Sequence, residues 1–295
     1  MKATTPASDP LPISASLEAV GHDVDAALLR FLDDRGAELA GMAPQATDLV
    51  DEIRRLVRAG GKRIRPSLCI WAHRAAGGTE VESIVRAAAA LELLHTFALV
   101  HDDVMDDAST RRGVETTQVR FASRAPDGTD ARAYGTSIAI LVGDLAAVLA
   151  ERMLRTCGAE PEPLAVALGR FDRMRIEMAA GQFLDLEAPA GPSPARVAAL
   201  KTGSYTAEGP VLIGCALAEA GPAVEGPLTV FARHLGEAFQ LRDDVVDGDA
   251  SAAEHVSRVD ALVDRATDAL IGAPLETEAA QALVAIASLV RMGSA

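Results

Sequence analysis

The sequence predicts an all-α fold built as a single domain, and three observations support this prediction. Apolar residues make up 49% of the chain but aromatic residues only 3%, and a composition dominated by Ala and Leu favours packed helices over a sheet. Turn-forming stretches, such as residues 75–80, 124–135 and 188–196, separate segments of helical periodicity, which predicts about nine or ten helices. No Gly/Ser-rich or Pro-rich linker divides the 295 residues, so we expect one domain.

Residues 1–20 are predicted to be a flexible N-terminal tail, and the domain is predicted to span residues 21–295. The tail contains Lys2 but no continuous apolar core of the kind that a secretory signal needs. Further along, LELLHTFALVH at residues 91–101 is apolar almost all round the helical circumference, which predicts a buried helix. HLGEAFQLR at residues 234–242 predicts another helix that is largely buried.

Two other segments bear on the limits of the domain. The apolar stretch SIAILVGDLAAVLA at residues 137–150 is interrupted by Gly143 and Asp144 before it reaches the ~18 to 20 apolar residues that cross a bilayer. We therefore expect a soluble protein without a membrane span. The segment from Val256 to Leu270 is predicted to be the last helix, which would make the domain short after about residue 249.

The charge and the cysteines exclude several classes of partner and compartment. A net charge of -14 repels phosphate backbones, so nucleic acid is excluded and an anionic ligand must be held by a local cluster or by metal ions. Cys69, Cys157 and Cys215 are odd in number and widely spaced, which predicts free thiols and a cytoplasmic protein.

An acidic motif occurs twice, at two distant positions. DDVMD at Asp102 to Asp106 returns as DDVVD at Asp243 to Asp247, each time at the end of an apolar helical segment. Residues four apart share a helix face, so the first and last aspartates of each motif stack and repel one another, and Asp103 and Asp244 lie beside them. Such repulsion calls for a compensating cation.

Carboxylates are hard oxygen ligands, and no His/Cys cluster accompanies both motifs. The expected ion is therefore Mg²⁺ or Mn²⁺ rather than zinc. Mg²⁺ usually takes one or two carboxylates together with substrate phosphates, which fits two acidic patches that clamp one diphosphate. A single DDxxD can equally be a solvated helix end that aids solubility. Two copies that each follow an apolar helix favour a shared cavity.

Basic residues supply a second signal. Lysine occurs only at Lys2, Lys62 and Lys201, so each internal lysine stands out. In GGKRIRP, Gly60 and Gly61 let the backbone approach a ligand, and Lys62, Arg63 and Arg65 form a cluster that suits a phosphate group or is a charged helix-linking loop. Weaker candidates are Arg111 and Arg112, whose guanidinium forks suit a diphosphate, Lys201 beside Thr202, His95 and Gln240. His95 and Gln240 can equally be packing residues.

The motifs together resemble the trans-isoprenyl diphosphate synthase family, whose fold is the isoprenoid synthase type I bundle around a central cavity. The matching elements run in order from about Ala59 to Asp247: GGKRIRP, ELLHTFALVHDDVMD with RRG after it, VGD, MAAGQFLDL, KT and GEAFQLRDDVVD. The resemblance implies that an allylic diphosphate (dimethylallyl, geranyl or farnesyl) ionises between the two motifs. Isopentenyl diphosphate then attacks the allylic cation to lengthen a linear all-trans chain.

The resemblance also assigns residues. It implies that Asp102, Asp103, Asp106, Asp243, Asp244 and Asp247 bind three Mg²⁺ ions, that Lys62, Arg65, His95 and Arg112 bind isopentenyl diphosphate, and that Arg111, Lys201, Thr202 and Gln240 surround the allylic diphosphate. Asp107 is expected outside the first shell of metal ligands. It further implies a homodimer.

Product length in such enzymes is set below the first motif. Ala98 lies one turn before Asp102 and leaves room, whereas Phe97 adds bulk on the neighbouring face. This arrangement resembles the pattern of C20, geranylgeranyl, producers, and we expect C20, with C15 and C25 as alternatives.

Downstream of the second motif the resemblance weakens, because no lysine follows Lys201 and the family's Gly-Lys-Pro segment is missing. Two alternatives therefore stay open: a weakly active or regulatory partner subunit of a prenyl synthase, and a class I terpene cyclase. Intact GGKRIRP and RRG disfavour a cyclase, which has no need of isopentenyl diphosphate.

Overall fold

The computed structural model describes residues 13–111, 113–187, 199–246 and 252–292, and these ranges contain eleven α-helices. The predicted all-α fold is confirmed. The helices are α1 (Ile13–Met42), α2 (Thr47–Arg58), α3 (Ile64–Ala75), α4 (Val81–Met105), α5 (Thr117–Ala122), α6 (Ala131–Arg155), α7 (Pro161–Leu186), α8 (Gly209–Leu217), α9 (Pro222–Val246), α10 (Ala252–Asp268) and α11 (Thr277–Ser288). A 3₁₀ turn (Pro44–Ala46), a π-helix (Ala199–Glu208) and an antiparallel pair of short strands, β1 (Thr110–Arg111) and β2 (Val114–Glu115), complete the described elements.

Helix α4 lies at the centre of the bundle and contacts α1, α2, α3, α5, α6 and α8. The four alanines at residues 87–90 are fully buried, and their small side chains let neighbouring helices approach closely. Leu91, Leu93 and Leu94 are also buried, and each contributes roughly 1.5–3 kcal/mol through removal of its side chain from water. The centre of the bundle thus holds rigidly the helix that carries the first acidic motif.

The second acidic motif lies at the end of α9, which packs against α8, α10 and the π-helix. The expectation that the segment at residues 256–270 is the last helix is wrong, because α11 follows it and packs on α3 and α10. At the start of α11, the Glu276 side chain accepts hydrogen bonds from the backbone N–H groups of Glu278 and Ala279, at 3.1 and 2.7 Å. This cap supplies the initiation signal that the sequence pattern did not reveal.

Helix α1 begins at Ile13, within the stretch predicted to be a tail. Val20, Val24 and Leu28 are buried on it, because α1 packs against α3 and α4. In the described part of the chain, α4 and α6 are each long and apolar enough to cross a membrane by length and composition alone. Within its most apolar window, 61% of α4 is buried inside the protein, compared with 39% for α6.

Candidate active site

A cavity of about 1700 Å³ opens between the ends of α4 and α9. It is lined by Asp102, Asp103 and Asp106 from the first motif and by Asp243 from the second, together with Lys62, Arg65, His95, Phe97, Ala98, Arg111 and Gln240. The two acidic motifs, 141 positions apart in the chain, therefore meet across one hollow. Of the other predicted site residues, Arg112, Asp247 and the side chains of Lys201, Thr202 and Asp244 lie outside the described residues.

Both acidic motifs lie where a helix is least tolerant of negative charge. Asp102 and Asp103 belong to the last turn of α4, Asp106 follows it directly, and Asp243 lies in the last turn of α9. Neither last turn contains a basic residue. The backbone carbonyls at a helix C-terminus carry a partial negative charge that normally attracts cations. Main chain and side chains thus add their negative potentials at both walls of the cavity, which favours a cationic ligand there.

One cation within the chain partly offsets this charge. Nε of Arg111 donates a hydrogen bond to Oδ1 of Asp103 at 2.7 Å, from the strand pair β1–β2. Gln118 fixes the same corner, because its amide nitrogen donates to the carbonyl oxygens of Asp103 and Ala108 at 3.0 and 2.9 Å. Burial raises the pKa of the Asp103 carboxyl, although Arg111 acts in the opposite direction.

Asp107 points away from this arrangement. Its φ of 50° places it in the left-handed region, where Asp is one of the few residues tolerated. Its carboxylate accepts a hydrogen bond from Nη2 of Arg132 at 3.0 Å on the exposed surface. Asp107 does not line the cavity, so the fourth aspartate of the stretch is a surface residue.

The GGKRIRP motif spans the loop between α2 and α3 and the first residues of α3, and its three basic side chains have different surroundings. Lys62 is exposed at the cavity rim, whereas Arg63 is buried. Arg63 has a φ of 49° and donates to Oδ1 of Asp25 and Oε2 of Glu92, both at 2.7 Å, and to the carbonyl oxygen of Val57 at 2.8 Å. Arg63 therefore ties the loop to three helices.

The ionised state of Arg63 is secure in this position. Burial lowers the pKa of the Arg63 guanidinium, but the carboxylates of Glu92 and Asp25 outweigh that effect and hold the pKa above its ordinary value. The motif thus divides into one internal support, Arg63, and two residues, Lys62 and Arg65, that remain available to the cavity.

Sequence reasoning missed two residues of the π-helix that contact the cavity. The Arg65 guanidinium lies 4.4 Å from the ring centroid of Tyr205, and its Nη2 donates to Oγ1 of Thr206 at 3.0 Å. The ring of His95 lies 6.2 Å from that of Tyr205. The two missed residues, Tyr205 and Thr206, follow Lys201 and Thr202 within KTGSYT. A π-helix frequently marks a functional site.

Apolar side chains line part of the same cavity. Phe97 and Ala98 of α4 face it, and Ile176, Ala179 and Phe183 of α7 line it as well, with Ile176 and Phe183 69% and 61% exposed. Asp144, Asp172 and Arg175 also belong to the lining. The cavity thus combines charged and apolar side chains, which suits an amphiphilic substrate with an anionic head.

The donor set around the acidic ends fits Mg²⁺. Every described carboxylate there is a hard oxygen donor, and no group of three His, Cys, Asp or Glu side chains in the described ranges is close enough to hold a metal ion alone. An ion would therefore need oxygens from a ligand or water, which matches the usual coordination of Mg²⁺ by one or two carboxylates and substrate phosphates.

Comparison with known proteins agrees with this geometry. Residues 47–282 match the sequence model of the polyprenyl synthetase family. The chain is 34% identical over 200 residues to geranylfarnesyl diphosphate synthase of Aeropyrum pernix, a match that covers 65% of this chain and 58% of that relative. It is 32% identical to geranylgeranyl diphosphate synthase of Methanosarcina mazei, with 68% and 59% of the two chains covered. The aligned parts thus span less than two thirds of these relatives' own lengths.

A solved structure covers nearly the whole chain. The geranylgeranyl pyrophosphate synthase of Corynebacterium glutamicum, determined in complex with isoprenyl diphosphate and magnesium, superposes with a TM-score of 0.86 at 27% identity. The superposition covers 94% of this chain and 99% of the other. Because the family match includes both acidic helix ends and the π-helix between them, the chain belongs to the polyprenyl synthetase family.

Proposed function

We propose that this protein is a Mg²⁺-dependent prenyltransferase that condenses isopentenyl diphosphate with an allylic diphosphate into a linear all-trans polyprenyl diphosphate. The observation that carries the proposal is the cavity itself, whose lining combines two acidic helix ends, basic side chains of the GGKRIRP motif and apolar side chains of α4 and α7. The family match supports the same reaction class.

The chain's own residues divide the work between the two substrates. Lys62, Arg65 and His95 at one side of the cavity, together with Arg112, hold isopentenyl diphosphate through charge-assisted hydrogen bonds. Arg111, Gln240, Lys201 and Thr202 surround the allylic diphosphate. Asp102, Asp103, Asp106, Asp243, Asp244 and Asp247 would hold three Mg²⁺ ions, or Mn²⁺ in their place.

Bound Mg²⁺ supplies positive charge to the departing diphosphate as its C–O bond breaks. Arg111, held beside Asp103 by a hydrogen bond, would stabilise the leaving group further. The apolar walls around Phe97 and Ala98 exclude water, so the allylic cation survives until the double bond of isopentenyl diphosphate attacks it. The released diphosphate then accepts the proton that completes each extension.

For the product we propose C20, geranylgeranyl diphosphate. Phe97 lies five residues before Asp102, about 7.5 Å along the helix axis, and faces the cavity, where it would limit the growing chain. The relatives differ in the product that their names give, geranylfarnesyl in one and geranylgeranyl in the other, so the proposal for this chain depends on Phe97 and Ala98.

A weakly active partner subunit and a class I cyclase remain the competing functions. The exposed Lys62 at the cavity rim and the Arg65–Thr206 contact favour a second diphosphate site, which a cyclase does not require. The protein is incubated with Mg²⁺, isopentenyl diphosphate and each primer in turn (dimethylallyl, geranyl and farnesyl diphosphate), and the products are analysed by mass spectrometry. An elongated linear diphosphate supports the proposal, whereas a cyclic hydrocarbon or no product contradicts it.

Matched variants connect that assay to the site. Asp102→Asn should lower kcat/KM at least about 100-fold, because it removes a carboxylate that faces the developing charge. Asp107→Asn, which changes a surface carboxylate of the same stretch, should leave kcat/KM within about twofold. Equal effects of the two substitutions would contradict the assignment of the first motif.

We propose in addition that the protein is a homodimer through the exposed face of α6 that carries Ile140, Asp144 and Val148. Ile140, Leu141 and Val148 are 43%, 50% and 62% exposed and share one side of that helix. A second copy related by a two-fold axis would cover these apolar side chains. Light scattering should give a dimer that Val148→Glu dissociates.

The three cysteines are free and buried, which agrees with the proposed cytoplasmic location.

A further inference from the structure

His101 occupies a defined seat between α4 and α6. Its Nε2 lies 3.2 Å from the carbonyl oxygen of Ile140, and because a carbonyl only accepts, that nitrogen carries the hydrogen. The same Nε2 lies 3.8 Å from Oδ1 of Asp144. His101, which directly precedes the first acidic motif, thus connects α4 to α6. Both His101 and Asp144 line the cavity.

The seat exists because residue 143 is glycine. A Cβ atom built on Gly143 would lie 2.2 Å from both Cδ2 and Nε2 of His101, a distance at which one group must move. The backbone of Gly143 does not require the left-handed region, so the reason for glycine here is space for the imidazole. This explains the VGD sequence, in which Gly143 forms the notch and Asp144 lies at its edge.

His101 in turn contacts the side chain that is proposed to limit product length. Phe97 lies one helical turn before it, and the two ring centroids are 4.8 Å apart with an interplanar angle of 67°, an edge-on contact. Such contacts have a preferred geometry, so they restrict the orientation of both rings. The hydrogen bond to the Ile140 carbonyl oxygen fixes the imidazole of His101. The imidazole then supports the Phe97 ring on the side that faces the first acidic motif.

We infer that His101 is a positioning residue for product length, which holds the Phe97 ring across the cavity from its seat in the Gly143 notch. The inference rests on the proposed prenyltransferase function for its effect on products, but the orientation of Phe97 is a property of the protein alone. His101 acts through Phe97, and no contact with the growing chain is required.

The test compares His101→Ala, Phe97→Ala and the double variant. Phe97→Ala should lengthen the product, and His101→Ala should raise the ratio of longer to native-length products about two- to tenfold, the range expected for loss of one edge-to-face aromatic contact. The double variant should match Phe97→Ala alone, because His101 has no ring left to position. An additive effect in the double variant, or no change in His101→Ala, overturns the inference.

Gly143→Ala supplies an independent perturbation that leaves both rings in the chain. It should displace the imidazole and shift the products in the same direction, whereas Gly169→Ala, at a position where a Cβ meets nothing within 4 Å, should not. Crystal structures of the native protein and of His101→Ala separate this inference from the proposed function. A Phe97 ring that keeps its orientation without His101 overturns the inference, whatever the protein synthesises, and absence of any elongated product contradicts the proposed function instead.

Discussion

Replacement of Arg63 by methionine should strongly destabilise the protein. Methionine keeps much of the side-chain length but removes three hydrogen bonds, to Asp25, Glu92 and the carbonyl oxygen of Val57. The main cost comes from Glu92, whose side chain is only 7% exposed and would be left as a buried charge without its partner. Loss of one member of a buried ion pair costs about 3–5 kcal/mol. The free energy of unfolding of Arg63→Met should therefore fall by about that amount.

The double variant Arg63→Met, Glu92→Met identifies the cause of the loss. Replacement of a buried ion pair by apolar residues is often close to neutral, so the double variant should differ from the native protein mainly by the lost bond to the Val57 carbonyl, about 1–2 kcal/mol. It should thus be more stable than the single variant. Arg58→Met, at an exposed position at the end of α2, should change stability by less than about 0.5 kcal/mol.

Urea unfolding followed by circular dichroism measures these differences. With a slope of about 3 kcal/mol per M, the single variant should unfold at a urea concentration at least about 1 M lower. In the prenyl transfer assay, the same variant should raise the KM for isopentenyl diphosphate, because Lys62 lies on the loop that Arg63 supports. A loss of less than about 1 kcal/mol in the single variant, or a double variant less stable than the single one, would show that the unpaired Glu92 charge is not the main cost.

Three other outcomes follow from the site and the core. Asp243→Asn should lower kcat/KM for both substrates at least about 100-fold, and equal activity of the variant and the native protein would show that the second motif is not used. Chelation by EDTA should abolish prenyl transfer, and added Mg²⁺ should restore it, whereas activity that persists in EDTA would contradict metal dependence. Burial lowers the pKa of His73 from 6.5 to about 4. As the pH falls from 7 towards 4, the unfolded chain therefore binds a proton at this histidine before the folded protein does. Stability from this group is complete above pH 6.5, and the free energy of unfolding should drop by about 2 kcal/mol between pH 7 and pH 5; urea titrations of native protein and His73→Gln check this, and the variant should lack that component.

The helical architecture and the shared cavity could be predicted because both depend on local patterns. The apolar segments before Asp102 and Asp243 indicate buried helices, and helical spacing then fixes which carboxylates stack. Two acidic ends on buried helices have few places to lie except around a common hollow. The same reasoning did not predict α11, since the capping Glu276 is not one of the preferred N-cap residues.

The sequence pattern could not predict contacts between distant segments of the chain. Arg63 and Arg65 are two residues apart, but Arg63 ends the loop before α3 and Arg65 lies in the first turn of that helix. The left-handed φ of Arg63 turns its side chain inward, while Arg65 lies beside the cavity. Tyr205 meets Arg65 only because the π-helix packs on α3. Gly143 interrupts an apolar stretch, but it does not break α6; its role depends on a ring from another helix.

The acidic C-terminal ends of α4 and α9 lower the stability of the fold, but they provide the carboxylates that a cation needs. Each carboxylate there repels its neighbours and the carbonyls of its own helix, so these helix ends lower the stability of the fold unless a cation binds to them. Selection for thermal stability alone would favour Asn, Gln or Lys at these positions. Such variants would keep the helical architecture and the cavity, but would lose the cation sites that the proposed reaction requires.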